Sequence, residues 1–147
     1  MRPYPERDKQ GMYKCGNSCP TCPYIKKGTE VKINQKDTWQ IRKPFNCNSF
    51  NIIYMLECKK DKCRKRYIGT TGRQLRYRLA DHRGYISNQV ENKATGAHFN
   101  LPGHSLADLT VTILEQTRNN NEDYRREQEK YFIRRFDTFN HGINKEW

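Results

Sequence analysis

One stretch limits the fold more than any other: Asn-Ile-Ile-Tyr-Met-Leu-Glu, residues 51–57, in a chain where only 34% of residues are hydrophobic and 30% are charged. A chain this polar has few segments from which to build a core. The run is rich in β-formers and reads as a mostly buried strand. A basic loop over residues 59–66 follows, then a short strand through Tyr67-Ile68-Gly69 and a turn at Thr70, Thr71 and Gly72. Leu75, Arg78, Leu79, His82 and Ile86 fall at helical spacing, which predicts a helix from Gln74 to Ile86. Leu109 to Ile113 alternates and reads as a strand. Asn119, Asn120 and Asn121 offer N-caps for a helix from Glu122 to Phe136, with Phe132, Ile133 and Phe136 on one side. The order strand, strand, helix, strand, helix predicts a small α/β domain with a three-stranded sheet over residues 51–147.

Upstream the chain is different. Residues 1–14 are polar and punctuated by Pro and Gly, and are expected to be disordered or a linker. Residues 15–50 carry Cys15, Cys19, Cys22 and Cys47 with little helical periodicity, which suggests a cysteine-rich knuckle with a short strand or two. No apolar run approaches the roughly 20 residues that span a bilayer, and the N-terminus lacks the apolar stretch of a secretory signal. A reducing intracellular compartment is therefore expected, in which six cysteines point to metal more than to disulfides. Zinc takes four ligands in a tetrahedron. Cys15, Cys19 and Cys22 give three close thiols and Cys47 a fourth, or Cys58 and Cys63 complete the site with two of the upstream cysteines. About one zinc is expected.

The formal net charge is +12, from 28 Lys and Arg against 16 Asp and Glu, which favours a polyanionic partner. Lys59, Lys60, Lys62, Arg64, Lys65 and Arg66 form a basic run that could grip DNA phosphates or serve as a nuclear import signal. Arg73, Arg76 and His98 are further candidate DNA contacts, and His104 reads as structural. There is no heptad run and no long apolar segment left over once the sheet and two helices are covered, so a monomer without a membrane partner is expected.

Three polar side chains stand where apolar ones belong. Arg78 and His82 lie inside the apolar stripe of the first helix, and charged groups are rarely buried without a partner. Two such groups one turn apart suggest a pocket. Glu129 shares a face with Phe132, Ile133 and Phe136 on the last helix. A carboxylate placed there pairs with an arginine or binds a hard cation.

The set NIIY, YIG, LRYRLADH, EKYFI and GIN is similar, in order, to the GIY-YIG nuclease domain over Asn51 to Asn144. The glycine of the first motif is replaced, giving Ile52-Ile53-Tyr54. CGNSCPTCPYI, Cys47, the Cys58/Cys63 pair before YIG, and HFNLPGHS look like the endonuclease of Penelope-like retroelements. The resemblance implies a small three-stranded antiparallel sheet flanked by helices, with Tyr54, Tyr67, Gly69, Arg78, His82, Glu129 and Asn144 as the matched site positions. It further implies a metal-dependent DNA endonuclease with Mg²⁺ (or Mn²⁺) on Glu129, beside a zinc element at the N-terminus. Arg78 would hold the phosphate oxygens, Tyr54 would act as base or orient the water, Tyr67 and His82 would position water or phosphate, and Asn144 would support the loop near the metal. The nick would prime reverse transcription in the nucleus, with the chain part of, or derived from, a reverse transcriptase polyprotein. The alternatives are a catalytically inactive zinc-containing nucleic-acid-binding module or a host repair nuclease.

Overall fold

A strand buried along its whole length needs neighbours on both edges and cover on both faces. β5, Ile52–Cys58, is that strand in the computed structural model, which describes residues 9–16 and 19–145. It pairs antiparallel with β6 (Arg66–Thr71) on one edge and β7 (Leu109–Gln116) on the other, giving the order β6-β5-β7. The expected three-stranded antiparallel sheet is present. Tyr54 stands opposite Gly69 and Leu56 opposite Tyr67, so the two tyrosines are diagonal neighbours on one face. β6 runs on through Thr70 and Thr71, expected to turn, because both pair with Ile53 and Ile52.

The helices are α1 (Leu75–Ser87), α2 (Ala94–His98) and α3 (Glu122–Phe136). α3 keeps its expected bounds, opened by Asn121, whose side chain accepts from Tyr124 N–H. The five-residue α2 had no counterpart in the sequence reading, since one turn carries too little periodicity to register. No helix among the described residues is long and apolar enough to cross a membrane.

Four short strands precede the sheet: β1 (Gly11–Met12), β2 (Glu30–Lys32), β3 (Thr38–Gln40) and β4 (Pro44–Phe45). β2 and β3 form a hairpin, while β1 runs parallel to β4. The disordered or linker segment expected over residues 1–14 is thereby corrected in part. Residues 1–8 lie outside the described residues, but Met12 is fully buried, because its side chain fills the core beside Ile113.

The cysteine-rich part is not a separate core. Met12, Ile25, Val31, Ile41 and Phe45 join one apolar cluster with the sheet. They also cover an exposed strand edge, which would otherwise invite pairing with another chain. Lys26 N–H donates to Val111 O (3.0 Å), and Trp39 Nε1 donates to Leu114 O (2.9 Å). On the opposite edge, Ile143 N–H donates to Arg66 O, and Asn144 pairs with Ile68. Buried Glu57 accepts from Lys26 Nζ and Arg66 Nε, both at 2.9 Å, and joins the N-terminal part to β5 and β6.

Candidate active site and metal-binding clusters

β6, α1 and α3 enclose a cleft of about 830 Å³ lined by Tyr67, Arg73, Arg78, His82, Arg125, Glu129 and Asn144, among others. Helical spacing turns Arg78 and His82 toward the sheet with Leu75 and Leu79, and α3 brings Glu129 to the same space. Five of the six expected catalytic residues therefore converge.

The sixth, Tyr54, lies beneath them. It is fully buried, and its hydroxyl accepts from Arg78 Nε (3.1 Å) and lies 2.7 Å from His82 Nε2. His82 Nδ1 is 2.8 Å from Thr95 Oγ1 of α2. Burial, reinforced by the charge of Arg78, pushes the His82 pKa down to about 3. The ring is neutral at physiological pH, so Nε2 accepts from the Tyr54 hydroxyl and Nδ1–H donates to Thr95, a tautomer assigned from the network. Burial also holds the Tyr54 pKa above its ordinary value, against the opposing pull of Arg78. Tyr54, expected as base or water-orienting group, is therefore covered in this structure, does not line the cleft, and has its hydroxyl on Arg78 and His82. Gly69 makes this possible, since a Cβ there would lie 2.4 Å from the Tyr54 hydroxyl.

Of the two strand tyrosines, Tyr67, half-buried, is the one that lines the cleft, with its ring 5.5 Å from that of His82. Asn144 acts on the strand that carries it. Its Oδ1 accepts from Ile68 N–H (2.8 Å) and its Nδ2 donates to Ile68 O (2.9 Å), replacing a neighbouring strand at the β6 edge. Asp81 accepts from both Arg73 and Arg78, which fixes the guanidinium plane of Arg78. Neither Asp81 nor Thr95 was among the sequence candidates. Glu129 and Glu122, the latter paired with Arg126, are the carboxylates lining this open, water-accessible cleft, and so few acidic groups suit a hard cation that keeps several waters and takes few protein ligands.

The six cysteines divide between two clusters. Cys15, Cys19, Cys22 and Cys47 bring their sulfurs together, with contacts of 3.5 to 3.7 Å and no disulfide. Tetrahedral zinc with bonds of about 2.3 Å requires sulfurs about 3.8 Å apart, so the set fits such an ion. Cys58 and Cys63 do not join it. They meet His98 and His104 instead, all four ligand atoms lying within 4.8 Å of one another. Cys63 Sγ lies 3.5 Å from His98 Nε2, and His104 Nε2 is buried without a hydrogen-bond partner, as a ligand atom facing an ion would be. The His104 ring beside it outweighs burial and holds the Cys63 thiol below its usual range, which favours the thiolate that metals bind. His104, read as structural, is thus a candidate ligand. The spacings Cys58-x4-Cys63 and His98-x5-His104 were the available signal.

Two expected DNA contacts are corrected. His98 is buried against Cys63 and cannot reach a phosphate. Arg66 is bound to Glu57 and to the Lys32 and Ile33 carbonyls. Lys59, Lys62, Arg64 and Lys65 remain exposed on the loop around Cys63, with Lys60 half-buried, and none of them lines the cleft. Arg76, half-buried near the start of α1, donates its backbone N–H to Cys47 O.

The model of the GIY-YIG catalytic domain matches residues 50–144. No curated protein and no solved structure matches the chain.

Proposed function

Because the chain belongs to the GIY-YIG nuclease family, we propose that it hydrolyses phosphodiester bonds of DNA in the cleft between Tyr67, Arg78 and Glu129. The observation that carries this reading is the convergence of Arg78 and Glu129 on one open cleft, in a chain of net charge +12. Arg78 has Nε on Tyr54 and Nη1 on Asp81, so its orientation is fixed and Nη2 is left to hold a non-bridging phosphate oxygen as charge develops. Tyr67 holds the attacking water. Glu129 holds one Mg²⁺ or Mn²⁺, which would supply Lewis acidity and stabilise the leaving oxygen. Tyr54 and His82 serve as positioning residues, and Asn144 fixes the strand that presents Tyr67.

Each thiol-bearing cluster holds one zinc in a structural role. The cysteine pattern and the HFNLPGHS segment support a retroelement origin, with the chain part of, or derived from, a reverse transcriptase polyprotein. The cut is a nick made by a monomer in the nucleus, and its 3′-OH primes reverse transcription. One catalytic set builds one centre, which cuts one strand at a time.

The test is a time course on supercoiled plasmid with Mg²⁺, run beside Glu129→Ala. Relaxed circles should accumulate before linear product, and Glu129→Ala should abolish cleavage while retaining DNA binding. Equal cleavage by both proteins would remove Glu129 from the metal. Binding without cleavage by the wild-type chain would replace the nuclease with a binding module.

A further inference from the structure

Among the guanidiniums that line the cleft, one is buried without an acidic partner. Arg125 lies one turn before Glu129 on α3 and is only 6% exposed. Among the described residues it enters no ion pair. Its Nη1 donates to two neutral acceptors, Asn51 Oδ1 (3.3 Å) and Asn120 Oδ1 (3.1 Å). Its Nε is buried without a hydrogen-bond partner. A buried charge satisfied only by amides is unfavourable unless something compensates it.

The surroundings hold it in that state. Asn51 adopts φ 53°, the left-handed region that asparagine enters more readily than most residues other than glycine. The Asn51 carbonyl is pinned there by the backbone N–H of Thr117 (2.8 Å) and its hydroxyl (3.3 Å). On the other side, a Cβ at Gly72 would lie 3.0 Å from Arg125 Nη2 and 3.1 Å from Asn120 Oδ1. A side chain at residue 72 would crowd this guanidinium and displace it by a few tenths of an ångström. An asparagine held by its own carbonyl and a close glycine, around a buried charge with no ion pair, mark a binding position.

We propose that Arg125 is a second phosphate-binding residue, gripping a backbone phosphate beside the one held by Arg78, an inference that rests on the DNA-cleaving reading of the cleft. One turn separates Arg125 from Glu129, about 6 Å along the helix axis. Phosphates follow one another at roughly 3.4 Å of axis along each strand. Arg125 therefore meets a phosphate one or two steps from the bond that is cut. Its neutral partners orient the guanidinium without cancelling its charge, and the phosphate supplies the missing counter-charge.

The test compares wild type, Arg125→Gln and Arg125→Lys on short duplexes. Arg125→Gln should raise KM about tenfold with kcat nearly unchanged, and Arg125→Lys should recover part of the loss. Binding read without divalent cation should lose about one unit of salt slope in Arg125→Gln. An unchanged slope would overturn the assignment, and this reading decides on Arg125 even if the protein cuts nothing, an outcome that sinks only the nuclease reading. Neutral methylphosphonates walked along the cleaved strand need no variant. Wild type should be sensitive at a position one or two steps from the cut, whereas sensitivity at the scissile phosphate alone would overturn the proposal.

Discussion

The two thiol-bearing clusters and the cleft are opposite kinds of ligand site in one small chain. Each cluster gathers four soft or nitrogen ligands at close range, and most of those residues are buried. The cleft is lined by two carboxylates, Glu122 and Glu129, and four guanidiniums, and it is open. Closed sites of the first kind hold structure, and open ones leave coordination positions for water and substrate. The two kinds are also mechanically joined. The first N–H groups of α1, which have no partner inside the helix, donate to the Ser49 and Cys47 carbonyls beside the first cluster. α2 presents His98 to the second cluster and Thr95 to His82. The cluster segments thus brace α1, which carries Arg78 and His82, and α2, which carries Thr95.

The largest effect short of losing Glu129 should come from Arg78→Ala. Its rate should fall on the order of 10²-fold or more, by loss of transition-state charge stabilisation. Single-turnover cleavage measures the rate, and metal content should stay unchanged. A wild-type rate would separate Arg78 from the chemistry and leave it as part of the scaffold.

Next in size is the contrast between the two tyrosines. Tyr67→Phe should cost on the order of 10-fold to 10²-fold in kcat. Tyr54→Phe should cost less than Tyr67→Phe in rate but lower thermal stability, because it leaves Arg78 Nε and His82 Nε2 without their buried partner, a loss of about 1–3 kcal/mol. If Tyr54→Phe lost more activity than Tyr67→Phe at unchanged Tm, the buried phenol would be the group that meets the water.

Metal removal tests the clusters. Elemental analysis should find two zinc ions per chain, in place of the one expected from sequence. Cys22→Ser should bind one fewer, unfold at a lower temperature, and cut only several-fold more slowly while still folded. A single zinc in the wild type would leave one cluster as free thiols.

The smallest change concerns His82, whose pKa is held down at about 3 against an ordinary 6.5. Its ring resonances should therefore not titrate between pH 8 and 5. The associated stability is complete above pH 6.5 and is lost as pH falls through the folded value, since the unfolded chain takes up the proton first. A midpoint near 6.5 would mean an open network and an exposed Tyr54.

Periodicity within single elements was enough to place Arg78, His82 and Glu129 inward and to set the bounds of α3, because an element's own geometry decides which way its side chains point. It could not choose between Tyr54 and Tyr67. Both occupy strands and share a face, and the α1 and α2 side chains packed above that face cover one and leave the other open. Nor could it divide the cysteines, whose partners stand 25 residues away for Cys22 and Cys47 and 35 for Cys63 and His98. Arg66 reads as one more cation in a basic run until Glu57 and the β2 carbonyls are brought against it. Asn144 reads as a turn residue until it closes the edge of β6, 76 positions back. The sequence determined the orientation of each side chain on its own element, which short-range sterics govern. Only the tertiary structure decided its partners, because a buried polar group is satisfied by whatever the packing of distant elements delivers to it.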